Sequence, residues 1–233
     1  MPFCATLGGM AQRPIPFQVD EWFHCYNRGI DKRNVFDNEA DSERFLQLLY
    51  LANSTKTDRR SDITGWTTGD IVQRERGNPL VSIGAYCLMQ NHFHLLLKEI
   101  IERGIVRFMQ KLGTAYTMYF NKKNERVGNL FTKPFRSRHV YNDRYFQRVM
   151  SYIHCNPAER YEPGWKRGAV RNMEKLERQL RKYRYSSFPD YVGEKRATAA
   201  ILSRDAFDIY DARSPRRMLD DARAYYAELA ADD

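Results

Sequence analysis

The sequence predicts an α+β fold: an antiparallel sheet with helices on one face, followed by a basic helical C-terminal extension. Three patterns lead there. Short apolar runs of strand length occur at four places, longer segments with helical spacing lie between them, and the chain beyond residue 157 loses the strand pattern and gains Lys and Arg.

Glu21 to Asn27 is aromatic-rich and reads as the first strand, with Arg28-Gly29-Ile30-Asp31 as a turn. Asn38 to Ala52 reads as a helix, because Phe45, Leu48, Leu49 and Ala52 share one face, with Asp37 or Asn38 as its N-cap. Ser54 to Asn78 is polar and aperiodic, and is expected to be an inserted loop. Leu80 to Leu88 and Phe93 to Lys98 make a hairpin. Ile101 to Asn121 is a long helix lined by Ile105, Phe108, Leu112, Ala115, Tyr116 and Tyr119. Gly128 breaks the pattern and Arg136 to Tyr141 forms a fourth strand. Asp143 to Asn156 is a helix with Phe146, Val149, Met150 and Ile153 on its apolar face, and Pro157 is expected to end it by excluding the residue before it from helical geometry. The order β-α-β-β-α-β-α matches a ferredoxin-like core.

Residues 1–19 are expected to form a flexible N-terminal arm, 20–157 the core and 158–233 the basic extension. In that extension Trp165 to Tyr183 is helical or irregular. Leu202 to Ile209 and Pro215 to Ala231 are short helices, the last with Met218, Ala222, Tyr225, Tyr226 and Leu229 on one side.

Net charge is +9 over 233 residues, and its distribution is uneven. Residues 103–138 hold nine Lys/Arg against Glu125 alone, a net of +8; residues 160–184 hold nine against three acids, a net of +6. Such clusters suit a polyanion. The candidate contacts are Arg103, Arg107, Lys111, Lys122 and Lys123 on the long helix, Lys133, Arg136 and Arg138 around the fourth strand, and Lys166 with Arg167 beyond. Phe131 and Tyr141 are candidates for stacking on unpaired bases. No apolar run approaches the ~18 residues of a membrane span, and the N-terminus lacks a basic start followed by an apolar block. A cytoplasmic protein with reduced Cys4, Cys25, Cys87 and Cys155 is therefore expected, with no membrane partner.

His92 and His94 stand two apart on a strand, so both imidazoles project to one face while Phe93 turns to the other. Neutral imidazoles in this arrangement can hold a divalent metal and leave its sphere open. The same pattern also suits two histidines satisfied by hydrogen bonds. On the helix before Pro157, Tyr152 and Asn156 are i and i+4 and share a face. Asn156 can offer a carbonyl oxygen as third ligand and Tyr152 a phenol as nucleophile. Tyr116, Tyr119 and Tyr145 read as packing aromatics, His154 as a surface or DNA-contacting residue, and His24 and His139 as structural.

Met89-Gln90-Asn91-His92-Phe93-His94-Leu95-Leu96 resembles the His-hydrophobic-His motif of HUH single-strand nucleases. Tyr152-Ile153-His154-Cys155-Asn156-Pro157 resembles the nucleophile helix of their single-tyrosine transposase branch. Arg28-Gly29 with Asn34-Val35-Phe36, Tyr119-Phe120-Asn121, Gly128-Asn129-Leu130-Phe131 and Tyr185-Ser186-Ser187 are similar to further segments of the REP-associated tyrosine transposases. The resemblance covers roughly residues 20–192, with Gln90 standing where a proline is usual and 54–78 longer than usual. It implies a divalent cofactor, Mg²⁺ or Mn²⁺, held by His92, His94 and Asn156. It also implies cleavage and rejoining of single-stranded DNA hairpins by Tyr152 through a 5′-phosphotyrosine, and bacterial cells as its setting. A homodimer is left open, because Tyr152 can serve its own or a partner's metal. Two other readings stand beside it: a catalytically silent hairpin-binding protein, and a two-histidine metallonuclease acting through water.

Overall fold

In a computed structural model, residues 15–56, 65–211 and 213–231 of the chain are described. Four strands, β1 (Trp22–Arg28), β2 (Val81–Met89), β3 (His92–Glu99) and β4 (Arg136–Val140), form one antiparallel sheet in the order β2-β3-β1-β4. Between and after them lie α1 (Glu39–Ala52), α2 (Thr68–Val72), α3 (Gly104–Lys123), α4 (Asp143–Cys155), α5 (Ala158–Tyr161), α6 (Met173–Arg181), α7 (Phe188–Tyr191), α8 (Arg204–Ile209) and α9 (Pro215–Ala231). All seven elements of the expected order are present, with α2 added after α1, and so is the helical C-terminal extension.

One expectation is corrected: the helices cover both faces of the sheet. Side chains alternate along each strand. Phe23, Cys25, Phe93, Leu95 and Leu97 pack with α1 and α3 in one core. Trp22, Leu96, Ala85, Cys87 and Met89 pack with α4, α5, α6 and α9 in a second. A bulge at Gly84 shifts the β2 register between Ile83 and Ala85, so the face parity of β2 switches there. A Cβ on Gly84 would stand 2.8 Å from the Trp22 ring, so only glycine fits this close approach. The continuous apolar run of β2 hid this two-sidedness, because a strand buried on both faces loses the alternation that reports a single core.

Two local corrections follow. Residues within Ser54 to Asn78 are not all loop: Thr67 and Asp70 form a reciprocal capping box that starts α2, and Ile71 is fully buried. Five helical residues are too few to show a period. Residues 57–64 lie outside the described residues, as do Cys4 and the expected arm up to residue 14, whereas Phe17 packs edge-on against Phe23 at 4.8 Å. Asn156 keeps helical geometry (φ −52°, ψ −42°) in front of Pro157. The turn therefore continues past the last residue of α4, and Asn156 stays in register one turn below Tyr152. No helix among the described residues is long and apolar enough to cross a membrane.

Candidate active site

The site forms where β1, β3 and α4 meet, under the C-terminal helix. Even-numbered residues of β1 and β3 point to the α4 face, and the pairing places Tyr26 opposite His94 and Arg28 opposite His92. Helix α4 starts at a clear cap, with the Asn142 side chain accepting from Tyr145 N at 2.8 Å, and Val149 and Ile153 are buried in the second core. That anchoring presents Tyr152 to the histidines: its ring centroid lies 5.2 Å from that of His94, at 85°. The His92 and His94 rings are 5.1 Å apart and perpendicular. Tyr26, Arg28, Met89, His92, His94, Arg136, Tyr152, Asn156 and Lys166, with Tyr226 and Leu229 of α9, line one cleft of about 550 Å³.

Hydrogen bonds fix the imidazoles. Asn91 Nδ2 donates to the Lys32 carbonyl at 3.2 Å, which leaves Asn91 Oδ1 to accept from His92 Nδ1 at 2.6 Å. His92 therefore keeps a lone pair on Nε2. His94 Nδ1 is 2.9 Å from His24 Nε2, while His94 Nε2 is buried with no hydrogen-bond partner. Asn156 Nδ2 donates to the Tyr152 carbonyl at 2.9 Å, and the Asn156 side chain also interacts with His92 and with the Tyr152 hydroxyl.

The electrostatics follow from burial. His92 is pulled down to about 4 by desolvation, with Arg28 and Lys166 adding to it, and His94 is held well below its ordinary value, again chiefly by desolvation. Both rings are thus neutral at pH 7, the form that ligates a metal. Burial pushes the Tyr152 phenol up, against a lowering contribution from Asn156. Two imidazole nitrogens and an amide oxygen, with one nitrogen buried and orphaned, fit a divalent ion that keeps open positions. Among the described residues no group of three or more His, Cys, Asp or Glu side chains could hold a metal; the third donor available beside the two imidazoles is the amide oxygen of Asn156.

The four proposed centre residues thus come together. The basic candidates divide. Arg136 and Lys166 line the cleft, the latter paired with Glu159 at its rim. Lys133 is exposed next to Thr132, another lining residue, and Arg167 is exposed beside Lys166. Lys122 is exposed near the end of α3. Arg103 and Arg107 sit at the start of α3, where Ile105 N donates to Glu99 at 2.9 Å. Glu99 is seven residues along β3 from His92, about 23 Å of strand. Lys111 donates to the Ser54 and Lys56 carbonyls, Lys123 pairs with buried Asp41 at 2.7 Å, and Arg138 reaches the Glu228 carbonyl at 3.3 Å.

Two side chains read from sequence as nucleic-acid contacts are interior. His154 is fully buried, with Nε2 3.0 Å from Ser187 Oγ, and it pins α4 to the segment before α7. Phe131 is 6% exposed and packs on Phe93. Tyr141 is exposed and stacks on Tyr145. Tyr116 and Tyr145 are packed in the cores, and Tyr119 bonds Asp41. His139 is bound to Glu21 at 2.9 Å.

Sequence reasoning missed His24, Arg28 and Tyr225. The even-numbered run Trp22, His24, Tyr26, Arg28 signalled a shared face, but not that β1 lies beside β3 in this register. Tyr225 looked like ordinary amphipathic packing, and only the fold brings α9 to His24.

A solved structure, described as the REP associates tyrosine transposase bound to a REP hairpin, is similar to this chain at 13% identity. It has a TM-score of 0.45, with 81% of this chain and 90% of that chain covered. No curated protein matches. The family model "Transposase IS200 like" matches residues 21–161, a span that takes in the whole sheet, His92, His94, Tyr152 and Asn156. The chain belongs to the IS200-like transposase family.

Proposed function

We propose that this transposase cleaves and rejoins single-stranded DNA at REP-like hairpins, using Tyr152 as nucleophile. The observation that carries the reading is the meeting of a helical tyrosine with two neutral imidazoles and an amide in one cleft bordered by Arg28, Arg136 and Lys166. Bound at His92, His94 and Asn156, a divalent ion, Mg²⁺ or Mn²⁺, supplies Lewis-acid withdrawal of charge from the phosphate and a template for its position.

The remaining steps belong to the chain. Tyr152 Oη attacks phosphorus, the bond from phosphorus to the 3′ oxygen breaks, and the phenolic proton is given up as the 3′ oxygen gains one. The products are a 5′-phosphotyrosine and a free 3′ hydroxyl, and the reverse attack rejoins a strand without ATP. Burial raises the Tyr152 phenol above its ordinary value, so the hydroxyl needs activation by the groups around it when the phosphate binds. Arg28 is exposed and forms no ion pair among the described residues; placed opposite His92, it is the free cation for the non-bridging phosphate oxygens. Arg136, Lys133, Lys166 and Arg167 extend the positive rim along which an unpaired flank runs.

The test is a hairpin oligonucleotide labelled at its 5′ or 3′ end, incubated with protein and Mn²⁺ or Mg²⁺. Tyrosine attack predicts a denaturation-resistant adduct carrying the 3′ label and a released fragment carrying the 5′ label, both lost in His92→Ala while binding persists. Cleavage with no adduct would make water the nucleophile, and binding with neither would leave a silent hairpin-binding protein.

A further inference from the structure

The metal-facing histidine His94 is one end of a buried hydrogen-bonded chain that leaves the matched family segment. His24, fully buried on β1, holds His94 Nδ1 at 2.9 Å through its Nε2. Its own Nδ1 is 2.8 Å from the hydroxyl of Tyr225, a residue of α9 that is itself fully buried. Beyond it stands Tyr145, whose ring lies 5.5 Å from that of Tyr225 and whose hydroxyl interacts with both Tyr225 and Arg138. Helix α9 is fastened over α4 near its far end by the Arg148 to Glu228 ion pair at 2.8 Å. It begins 54 positions beyond the last matched residue, 161.

The polarity of this chain is legible. Arg138 has only donors, and its cation at the far end favours acceptor oxygens turned toward it. Tyr225 then spends its proton on Tyr145 and accepts from His24 Nδ1–H. His24 Nε2 is left as an acceptor, so His94 must carry its proton on Nδ1. The lone pair of His94 is thereby placed on Nε2, the atom that is buried and has no partner in the protein. An outer partner of this kind fixes both ring orientation and tautomer of a ligating histidine.

We infer that α9 is part of the metal centre: Tyr225, acting through His24, is a positioning residue that sets the tautomer of His94 and so its affinity for the ion. The inference rests on the metal-ligand reading of His94. It makes the site incomplete without a helix that lies outside the family segment.

The experiment uses the full chain without DNA and has two readouts. The first is Mn²⁺ affinity, from water-proton relaxation, for wild type, Tyr225→Phe, His24→Leu and His24→Gln. The second is the ¹⁵N imidazole spectrum of His94 in the metal-free protein. Loss of outer support is expected to weaken Mn²⁺ binding about 10-fold in Tyr225→Phe and up to ~100-fold in His24→Leu. His24→Gln, whose amide can both accept from His94 and donate to Tyr225, is expected to recover most of the loss. The spectra are expected to show His94 protonated on Nδ1 in wild type and in His24→Gln, and a tautomer mixture in Tyr225→Phe and His24→Leu. Wild-type affinity together with an unchanged tautomer in both Tyr225→Phe and His24→Leu would overturn the inference. A wild-type protein that binds no Mn²⁺ would instead remove the metal reading, and with it the affinity role of α9, while the spectra still decide whether Tyr225 sets the tautomer. Tyr225→Phe removes one oxygen atom from a packed ring, so a circular-dichroism melt matching wild type separates positioning from unfolding.

Discussion

The two faces of the sheet are built from alternate residues of the same strands, yet they do opposite things. On the α1/α3 face Phe23, Phe93, Leu95 and Leu97 meet Phe45, Phe108 and Leu112 in an apolar layer, and the polar groups buried beside it are satisfied within the protein, the Tyr116 hydroxyl by the Val35 carbonyl and Asp41 by Lys123 and Tyr119. On the α4/α9 face the intervening positions are His24, Tyr26, Arg28, His92 and His94, and the helices cover them only in part. One face closes and supplies stability. The other spends burial on desolvating polar groups, which depresses the histidines and leaves His94 Nε2 without a partner. A strand with period two can hold a core and a reactive site back to back, and a helix that moves by a turn changes only one of them.

Substitutions on the two faces should therefore separate activity from stability. The largest effect is expected for Tyr152→Phe: adduct formation falls below about one thousandth of wild type, because the variant lacks the proposed nucleophile. Its melting temperature should stay within a few degrees, and a gel assay paired with a thermal melt reads both. Phe108→Ala on the closed face should show the reverse. Deleting a fully buried ring costs about 3–5 kcal/mol of stability in urea titration, while adduct yield per folded molecule is kept. Next comes Arg28→Ala, expected to slow cleavage about 10²-fold with little change in stability, and Arg28→Lys should fall between, since an ammonium keeps the charge but not the fork. Equal stability losses for Arg28→Ala and Phe108→Ala would erase the distinction between the faces.

The smallest effect is a pH dependence. His24 and His154 are held down to about 3 and His92 to about 4, all chiefly by burial. A histidine depressed in the folded state binds fewer protons there than when unfolded, so its stabilising contribution is present above the ordinary value near 6.5 and is lost as pH falls toward 4. The metal-free protein should therefore lose stability between pH 6.5 and 4. His154→Gln should flatten part of that loss by removing one depressed group. A melting temperature that is flat across this window would mean that these imidazoles are not buried neutral.

Much of this was legible from periodicity. The four strands and the long helices α1, α3 and α4 stand where residue spacing places them, and the two-residue step of His92 and His94 does put both on one face. The site needed more than spacing. Tyr152 and Asn156 share a helix face in sequence, but that this face meets the histidines depends on α4 crossing the sheet opposite α1 and α3. Covering of both faces was masked by β2, which is apolar throughout. His24 and Tyr225 are 201 residues apart, and a hydrogen bond at that separation leaves no local pattern. His154 looked exposed because a polar residue in a polar segment carries no mark of its buried partner Ser187.

The most direct measurement is a peptide map of the protein–DNA adduct. After nuclease digestion, trypsin should release residues 149–160, a segment whose only tyrosine is Tyr152. The account predicts that this peptide carries the nucleotide phosphate and that its unmodified form is depleted in proportion to adduct yield. A nucleotide found instead on the peptides bearing Tyr26 or Tyr226, the other tyrosines of the cleft, would contradict it, as would cleaved DNA with every tyrosine peptide unmodified.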